Sequence, residues 1–200
     1  AQICNLLDGV PLALELAAAA TATFSVQEIA GRLDAHLLRA SPIERTTDPR
    51  HASIADAIAW SYQLLLPAEQ RLLVQLAVFA GGWTVEAMQQ VCTGATDCSA
   101  VLHQLVQKSL VQADPGQPSF GHMRFHLLRA VREYAAEQLA ANGEKDGVRS
   151  RHFDYYARLG IALGDEVLGS NHNAAMAGLD ADHANIQAAL AYGRSQAHLA

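Results

Sequence analysis

Two histidines, His122 and His126, and two cysteines, Cys92 and Cys98, are the side chains in this sequence best suited to hold a metal ion. The histidines are four residues apart in a segment whose alternation predicts a β-strand. Four residues of strand span about 13 Å, which is too far for two imidazoles to share one ion. The cysteines flank a glycine-containing turn and have no second pair beside them. We therefore expect no metal site.

The residues needed for phosphate binding or nucleophilic catalysis are also missing. A P-loop requires G-x-x-x-x-G-K-[ST], whose backbone N–H groups surround the phosphates. Lys108 and Ser109 match the last two positions, but Leu102 and Gln107 replace both glycines. Ser61 lies in a predicted helix without the glycine elbow that exposes a catalytic serine. The sequence predicts that this chain is not an enzyme by itself.

Two carboxylates, Glu133 and Glu137, lie one helical turn apart and could in principle act as an acid and base pair. Arg129 precedes Glu133 by four residues, a spacing that favours an ion pair on a helix. We interpret these residues as a solvated charged face.

The elements that carry these residues are predicted to be mainly helical. Alanine and leucine account for 38 and 26 of the 200 residues, a bias that favours helix. Helix starts are predicted at prolines, which fit the first turn of a helix, and at residues whose side chains can cap the N-terminus of a helix. These starts are Pro11, the Ser25–Glu28 capping box, Ser53, Pro67, Thr84 and Asp97.

After Lys108 the periodicity changes from helical to alternating. Residues 109–113 and 123–127 predict one β-hairpin around a proline-rich turn, and helices are predicted from about Leu128, Lys145 and Asp180. Three helices followed by a hairpin is the order of a winged-helix domain. Residues 41–49 contain two prolines and indicate a linker. The predicted domains are therefore a helical domain over 1–48, a winged helix over 49–142 and the first helices of an α-solenoid over 143–200.

The charge of the chain argues against nucleic-acid binding. The net charge is −6 and the isoelectric point is about 5.8. The third helix of the winged-helix segment, 97–108, offers one lysine, one histidine and one aspartate, and the wing turn carries Asp114 and no cation. Because phosphate contacts need positive side chains, we expect DNA to be bound only through other domains.

No apolar run reaches the 18 residues of a membrane span. Three cysteines, an odd number, fit a reducing compartment, so we expect a cytoplasmic protein that does not contact membranes. The chain begins with neither Met nor a basic signal segment, and we interpret it as part of a larger protein.

Several segments, taken in order, resemble the STAND or NB-ARC-type ATPases, above all the bacterial transcriptional regulators of the LuxR and AfsR kind. Residues 4–18 (CNLLDGVPLALELAA) resemble the GxP segment of that family. Residues 50–62, 64–70 and 78–83 are similar to its winged-helix segment, and 125–135 to the helix after the wing. Residues 180–190 resemble the first helices of its tetratricopeptide-like region. The resemblance covers nearly the whole chain.

The resemblance implies a nucleotide switch. In that family ADP or ATP binds between a P-loop domain and the helical and winged-helix domains, and the GxP proline packs near the adenine. Gly9, Val10 and Pro11 match that segment. The phosphate-sensing His and Asp after the wing align with Leu128 and Arg129. Leucine cannot donate a hydrogen bond to phosphate, whereas Arg129 could supply charge.

The function implied by the resemblance is that of a nucleotide-sensing and oligomerisation segment of a transcriptional regulator. Its partners would be the protein's own P-loop domain, the repeats that follow, and further copies on activation. Two alternatives remain open, namely a DNA-binding winged-helix regulator and a helical scaffold for protein contacts.

Overall fold

The computed structural model of the chain describes residues 3, 7, 11–39, 49–94, 97–114, 123–169 and 171–197, without the side chains of 34–39, 49–53 and 197. Its helices are α1 (Pro11–Ala20), α2 (Val26–Arg39), α3 (Pro49–Gln63), α4 (Pro67–Leu76), α5 (Val85–Val91), α6 (Cys98–Gln107), α7 (Arg129–Ala141), α8 (Lys145–Val167) and α9 (His172–Ala197). Strands β1 (Gln112–Asp114) and β2 (Arg124–His126) lie between α6 and α7. The predicted mainly helical fold with one hairpin is confirmed.

Three helices begin at the capping residues that the sequence indicates. Before α2, the Ser25 N–H donates to Glu28 Oε2 over 2.8 Å, and the Glu28 N–H donates to Ser25 Oγ over 3.3 Å. Thr84 Oγ1 and Asp97 Oδ1 each accept from the amide three residues further on, at 3.2 and 2.9 Å. Each cap satisfies an amide that has no partner inside the helix.

Two predicted helix starts are wrong. Helix α3 already begins at Pro49, four residues before Ser53, because proline fits the first helical position, where no N–H is needed. Helix α9 begins at His172 and not near Asp180. Gly178 lies within this longer helix. A Cβ at this position would lie 3.2 Å from Leu163, so the glycine allows α8 and α9 to approach closely.

One hydrophobic core runs through the described residues. Helices α1 and α2 pack on α3, α4 packs on α6 and α7, and α5 packs on α8, which pairs with α9. Trp83 and Phe79 are stacked at 5.2 Å at its centre. Helix α3 contacts both α1 and α7 and so joins the first helices to the winged helix. The predicted linker residues 41–48 lie outside the described residues.

The sheet is small, and its strand β2 is paired on both edges. Strands β1 and β2 are antiparallel, with Ala113 opposite Phe125. On the other edge, Trp83 and Phe125 exchange two backbone hydrogen bonds of 2.8 Å. The sheet is thereby fixed to the segment between α4 and α5.

Candidate functional site

Helix α6 holds the place of the third helix of a winged-helix domain, and Gln75 of α4 fixes its approach. Gln75 is fully buried, and its side chain binds the backbone of Thr93 with two hydrogen bonds, one of 2.7 Å accepted from the N–H and one of 3.2 Å donated to the carbonyl. Its amide also donates to Glu144 over 2.9 Å. The segment before α6 is therefore tied to α4 and to the start of α8.

The exposed face of α6 carries no lysine, arginine or acidic side chain. It consists of Ser99, Ala100, His103, Gln104 and Gln107. The Gln107 amide lies 2.9 Å from His103 Nε2, so these two side chains pair with each other. Glutamine can read base edges in the major groove, but nothing on this face carries the fixed positive charge that binds phosphate.

Lys108, directly after α6, is held by a buried acid. Its Nζ lies 2.6 Å from both carboxylate oxygens of Glu69, whose side chain is only 4% exposed. Glu69 Oε2 also accepts from the Leu66 N–H over 2.8 Å. Releasing Lys108 would leave a buried carboxylate without its cation, which is strongly destabilising.

Arg124, on strand β2, is held by α9. Its Nη2 donates to Asp182 Oδ1 over 2.7 Å and to the Gly82 carbonyl over 2.7 Å. The same nitrogen lies 3.1 Å from the Ala181 carbonyl. The cation at the root of the wing is therefore used to dock the last helix.

The other three cations between residues 65 and 140 are engaged as well. Arg71 pairs with Glu144 at 2.8 Å, and Arg129 pairs with Glu133 at 2.8 Å as the sequence predicts. Arg132 donates to the Ala80 carbonyl over 2.7 Å. All five lysine and arginine side chains of this segment thus make contacts inside the chain.

The structure describes three of the four candidate metal ligands, His126, Cys92 and Cys98. His126 lies on β2, and its Nε2 contacts Gln112 Oε1 at 3.1 Å across the hairpin, whereas His122 lies outside the described residues. Burial raises the pKa of the Cys92 thiol. Among the residues that the structure describes, no group of three histidine, cysteine or acidic side chains could hold a metal ion. Over the same residues, no helix is long and apolar enough to cross a membrane.

The residues suggested for nucleotide binding lie at two helix starts. Pro11 is exposed at the first position of α1, and Gly9 and Val10 lie outside the described residues. Leu128 precedes α7 and packs against the core. The exposed guanidinium of Arg129 is bound to Glu133. Pro11 offers a ring face to a planar base, and Leu128 offers no donor.

Sequence reasoning missed the polar cluster between α9 and the segment before Trp83. Asn185 is fully buried, and its Oδ1 accepts from the N–H groups of Ala80 and Gly81 at 2.9 and 3.3 Å. Its Nδ2 donates to the Gly82 carbonyl over 2.9 Å. The partners are more than 100 residues apart, so no local signal could have revealed them.

His152 of α8 lies beside this cluster. Its ring packs against Phe79 and Tyr156, with centroids 5.5 and 4.6 Å away. Burial lowers the pKa of His152 to about 4, so the imidazole is neutral at pH 7. Its Nε2 is buried and has no hydrogen-bond partner among the described residues.

These elements correspond to a known class of domain. Residues 65–140, which run from α4 through α7, match the family model described as a winged helix-turn-helix domain. The chain therefore contains a winged helix, as the order of its elements predicts.

Mycobacterial proteins are similar to this chain over a longer range. A protein of Mycobacterium tuberculosis strain H37Rv, provisionally named an HTH-type transcriptional regulator, is 39% identical over 202 residues, or 99% of this chain and 22% of the relative. An uncharacterized protein of the same strain is 39% identical over 157 residues, 76% of this chain and 39% of that protein. The chain thus spans about a fifth of the length of the first relative and about two fifths of the length of the second. Both similarities extend beyond the winged helix of residues 65–140.

Proposed function

We propose that this chain is a regulatory region of a larger transcriptional regulator, in which the winged helix binds other parts of the same protein and not DNA. The observation that carries the proposal is the engagement of all five cations of residues 65–140 inside the chain. Lys108 and Arg124, the cations nearest to α6 and to the wing, are held by Glu69 and Asp182.

The helices around the winged helix support a role in internal contacts. Helix α9 binds the Ala80–Gly82 segment through Asn185 and the wing strand through Asp182. Helix α3 joins α1 and α2 to α7 on another side of the domain. A movement of α9 would therefore be transmitted through the winged helix to α1 and α2, and a movement of α1 and α2 to α9.

In the whole protein, we propose that this region senses bound ADP or ATP, as the resemblance of residues 4–18 to the GxP segment implies. Pro11 would pack against the adenine, and a P-loop domain elsewhere in the protein would hold the phosphates. Arg129 would need to exchange Glu133 for a phosphate oxygen, and Leu128 would contribute packing only. Isothermal titration of the 200-residue chain should detect no micromolar ATP binding, because the chain lacks a phosphate cradle.

Direct DNA binding by α6 is the second candidate, favoured by the family match of residues 65–140 and by the name of the mycobacterial relative. The glutamines on the exposed face of α6 are able to contact bases. This candidate requires phosphate contacts from Lys108 or Arg124, and hence the opening of an ion pair.

Fluorescence anisotropy with a labelled random duplex of about 30 base pairs separates the two candidates, since winged helices that bind DNA retain non-specific affinity. We expect no saturation with protein at about 100 µM in 50 mM salt. Binding that weakens steeply with added salt would favour the DNA candidate if Lys108→Gln reduces it while the far-ultraviolet circular dichroism shows that the variant is folded. Arg158→Gln is the matched control, because Arg158 is an exposed cation on α8.

A further inference from the structure

A cavity of about 510 Å³ lies on the side of the molecule where the C-terminal end of α4 meets α7, α8 and α9. Its apolar lining comes mainly from small side chains, among them Ala136, Ala188 and Ala191, with Leu139 beside them. The volume is in the range of small-molecule sites, about 300–1,000 Å³. Helix α8, in contrast, contributes only polar side chains to the lining.

Lys145 and Arg149 line the cavity from the first turns of α8. They are four residues apart and so lie on the same face of the helix. Neither makes a hydrogen bond or an ion pair with any residue that the structure describes. They differ in this from the five cations of residues 65–140, all of which have partners.

His152 lies one turn further along α8 and lines the same cavity. It is only 3% exposed, and its Nε2 lacks a hydrogen-bond partner within the described part of the chain. Buried polar atoms are nearly always satisfied by protein, water or ligand. Because this nitrogen has almost no accessible surface, a molecule in the cavity reaches it only if the imidazole turns.

We propose that this cavity is a binding site for a small organic anion whose apolar body packs on the alanine lining. Lys145 and Arg149 pair with the anionic group, a carboxylate, sulfonate or phosphate, and the ring of His152 forms part of the cavity wall beside them. The site is distinct from α6, from the wing and from Pro11. The proposal therefore stands whether or not the winged helix binds DNA or the whole protein binds a nucleotide.

Two dyes with the same aromatic body test this proposal in the 200-residue chain. 8-Anilinonaphthalene-1-sulfonate carries an anionic group, and N-phenyl-1-naphthylamine lacks it. We expect the sulfonate to bind saturably at one site and about tenfold more tightly than the neutral dye, because a charge-assisted contact is worth about that factor. Arg149→Gln should remove this difference, and Lys145→Gln should reduce it.

Two further variants connect the binding to the cavity. Arg158→Gln removes another exposed arginine of α8 and should change the dissociation constant by less than about twofold. Ala188→Leu should block both dyes by filling the cavity, while the far-ultraviolet circular dichroism stays unchanged. The proposal is overturned if the sulfonate does not saturate, if Arg149→Gln and Arg158→Gln act alike, or if the folded Ala188→Leu variant still binds.

Discussion

Replacing Asn185 with alanine should detach α9 from the segment before Trp83. The Asn185 side chain is the acceptor for the Ala80 and Gly81 amides and a donor to the Gly82 carbonyl. Alanine removes these three contacts and a fourth, donated by Nδ2 to Asp182 Oδ1 over 3.2 Å, without changing the helix propensity unfavourably. The effect on stability therefore reports the hydrogen bonds.

The magnitude follows from what each partner retains. The Gly82 carbonyl keeps the Arg124 guanidinium at 2.7 Å, so its loss is small. The Ala80 amide loses a bond of 2.9 Å and the Gly81 amide a weaker one of 3.3 Å. An amide left without a partner costs about 1–3 kcal/mol. Since water can reach part of this segment, we expect a total loss of about 2–3 kcal/mol.

Urea unfolding followed by circular dichroism at 222 nm and by tryptophan fluorescence measures this loss, because Trp83 lies next to Gly82. Asn173→Ala is the matched control, since Asn173 is an exposed asparagine near the start of α9. It should change the free energy of unfolding by less than about 0.5 kcal/mol. If Asn185→Ala is no more destabilising than Asn173→Ala, the argument that Asn185 anchors α9 is wrong.

Three other changes have defined outcomes. Thr84→Ala removes the cap of α5 and should cost about 1 kcal/mol in urea unfolding, whereas Thr84→Ser keeps the oxygen and should cost much less; equal losses would contradict the capping role. The fold lowers the pKa of His152 from 6.5 to about 4. The neutral imidazole therefore contributes fully to the free energy of unfolding above pH 6.5, and this contribution, about 3 kcal/mol, is lost as the pH falls toward 4. His152→Phe should remove that part of the pH dependence, and an unchanged profile between pH 4.5 and 6.5 would show that the imidazole already titrates normally. Pro11→Ala should change the thermal midpoint of the chain little but weaken ADP binding by the whole protein; unchanged ADP affinity beside a clearly lower midpoint would make Pro11 a structural residue only.

The sequence predicts the local elements well, because their signals act over three or four residues. The Ser25–Glu28 capping box, the caps at Thr84 and Asp97 and the ion pair between Arg129 and Glu133 are all of this kind. The start of α9, by contrast, depends on packing between helices, which no signal over three or four residues reveals. Gly178 lowers the local helix propensity, and only the packing of Leu163 from another helix accounts for its place there.

The character of the candidate DNA surface could be predicted only in part. Composition gives a nearly balanced charge for the winged helix, but it does not say which cations are available. Lys108 and Glu69 are 39 residues apart, and Arg124 and Asp182 are 58 residues apart. Such pairs depend on how the helices pack. The same holds for Lys145, Arg149 and His152, whose common cavity is completed by α7, α9 and the residues that follow α4.

The anchoring of the Ala80–Gly82 segment by Asn185 also has a consequence for biosynthesis. The Ala80 amide leaves the ribosome 105 residues before the side chain that it binds. Translation proceeds at about 5–20 residues per second, so roughly 5–20 s pass between the synthesis of Ala80 and that of Asn185. During that interval the winged helix can form its own core, but Phe79 lacks the His152 and Tyr156 rings that cover it in the finished chain. The nascent winged helix therefore presents an apolar patch to chaperones until α8 and α9 have been made.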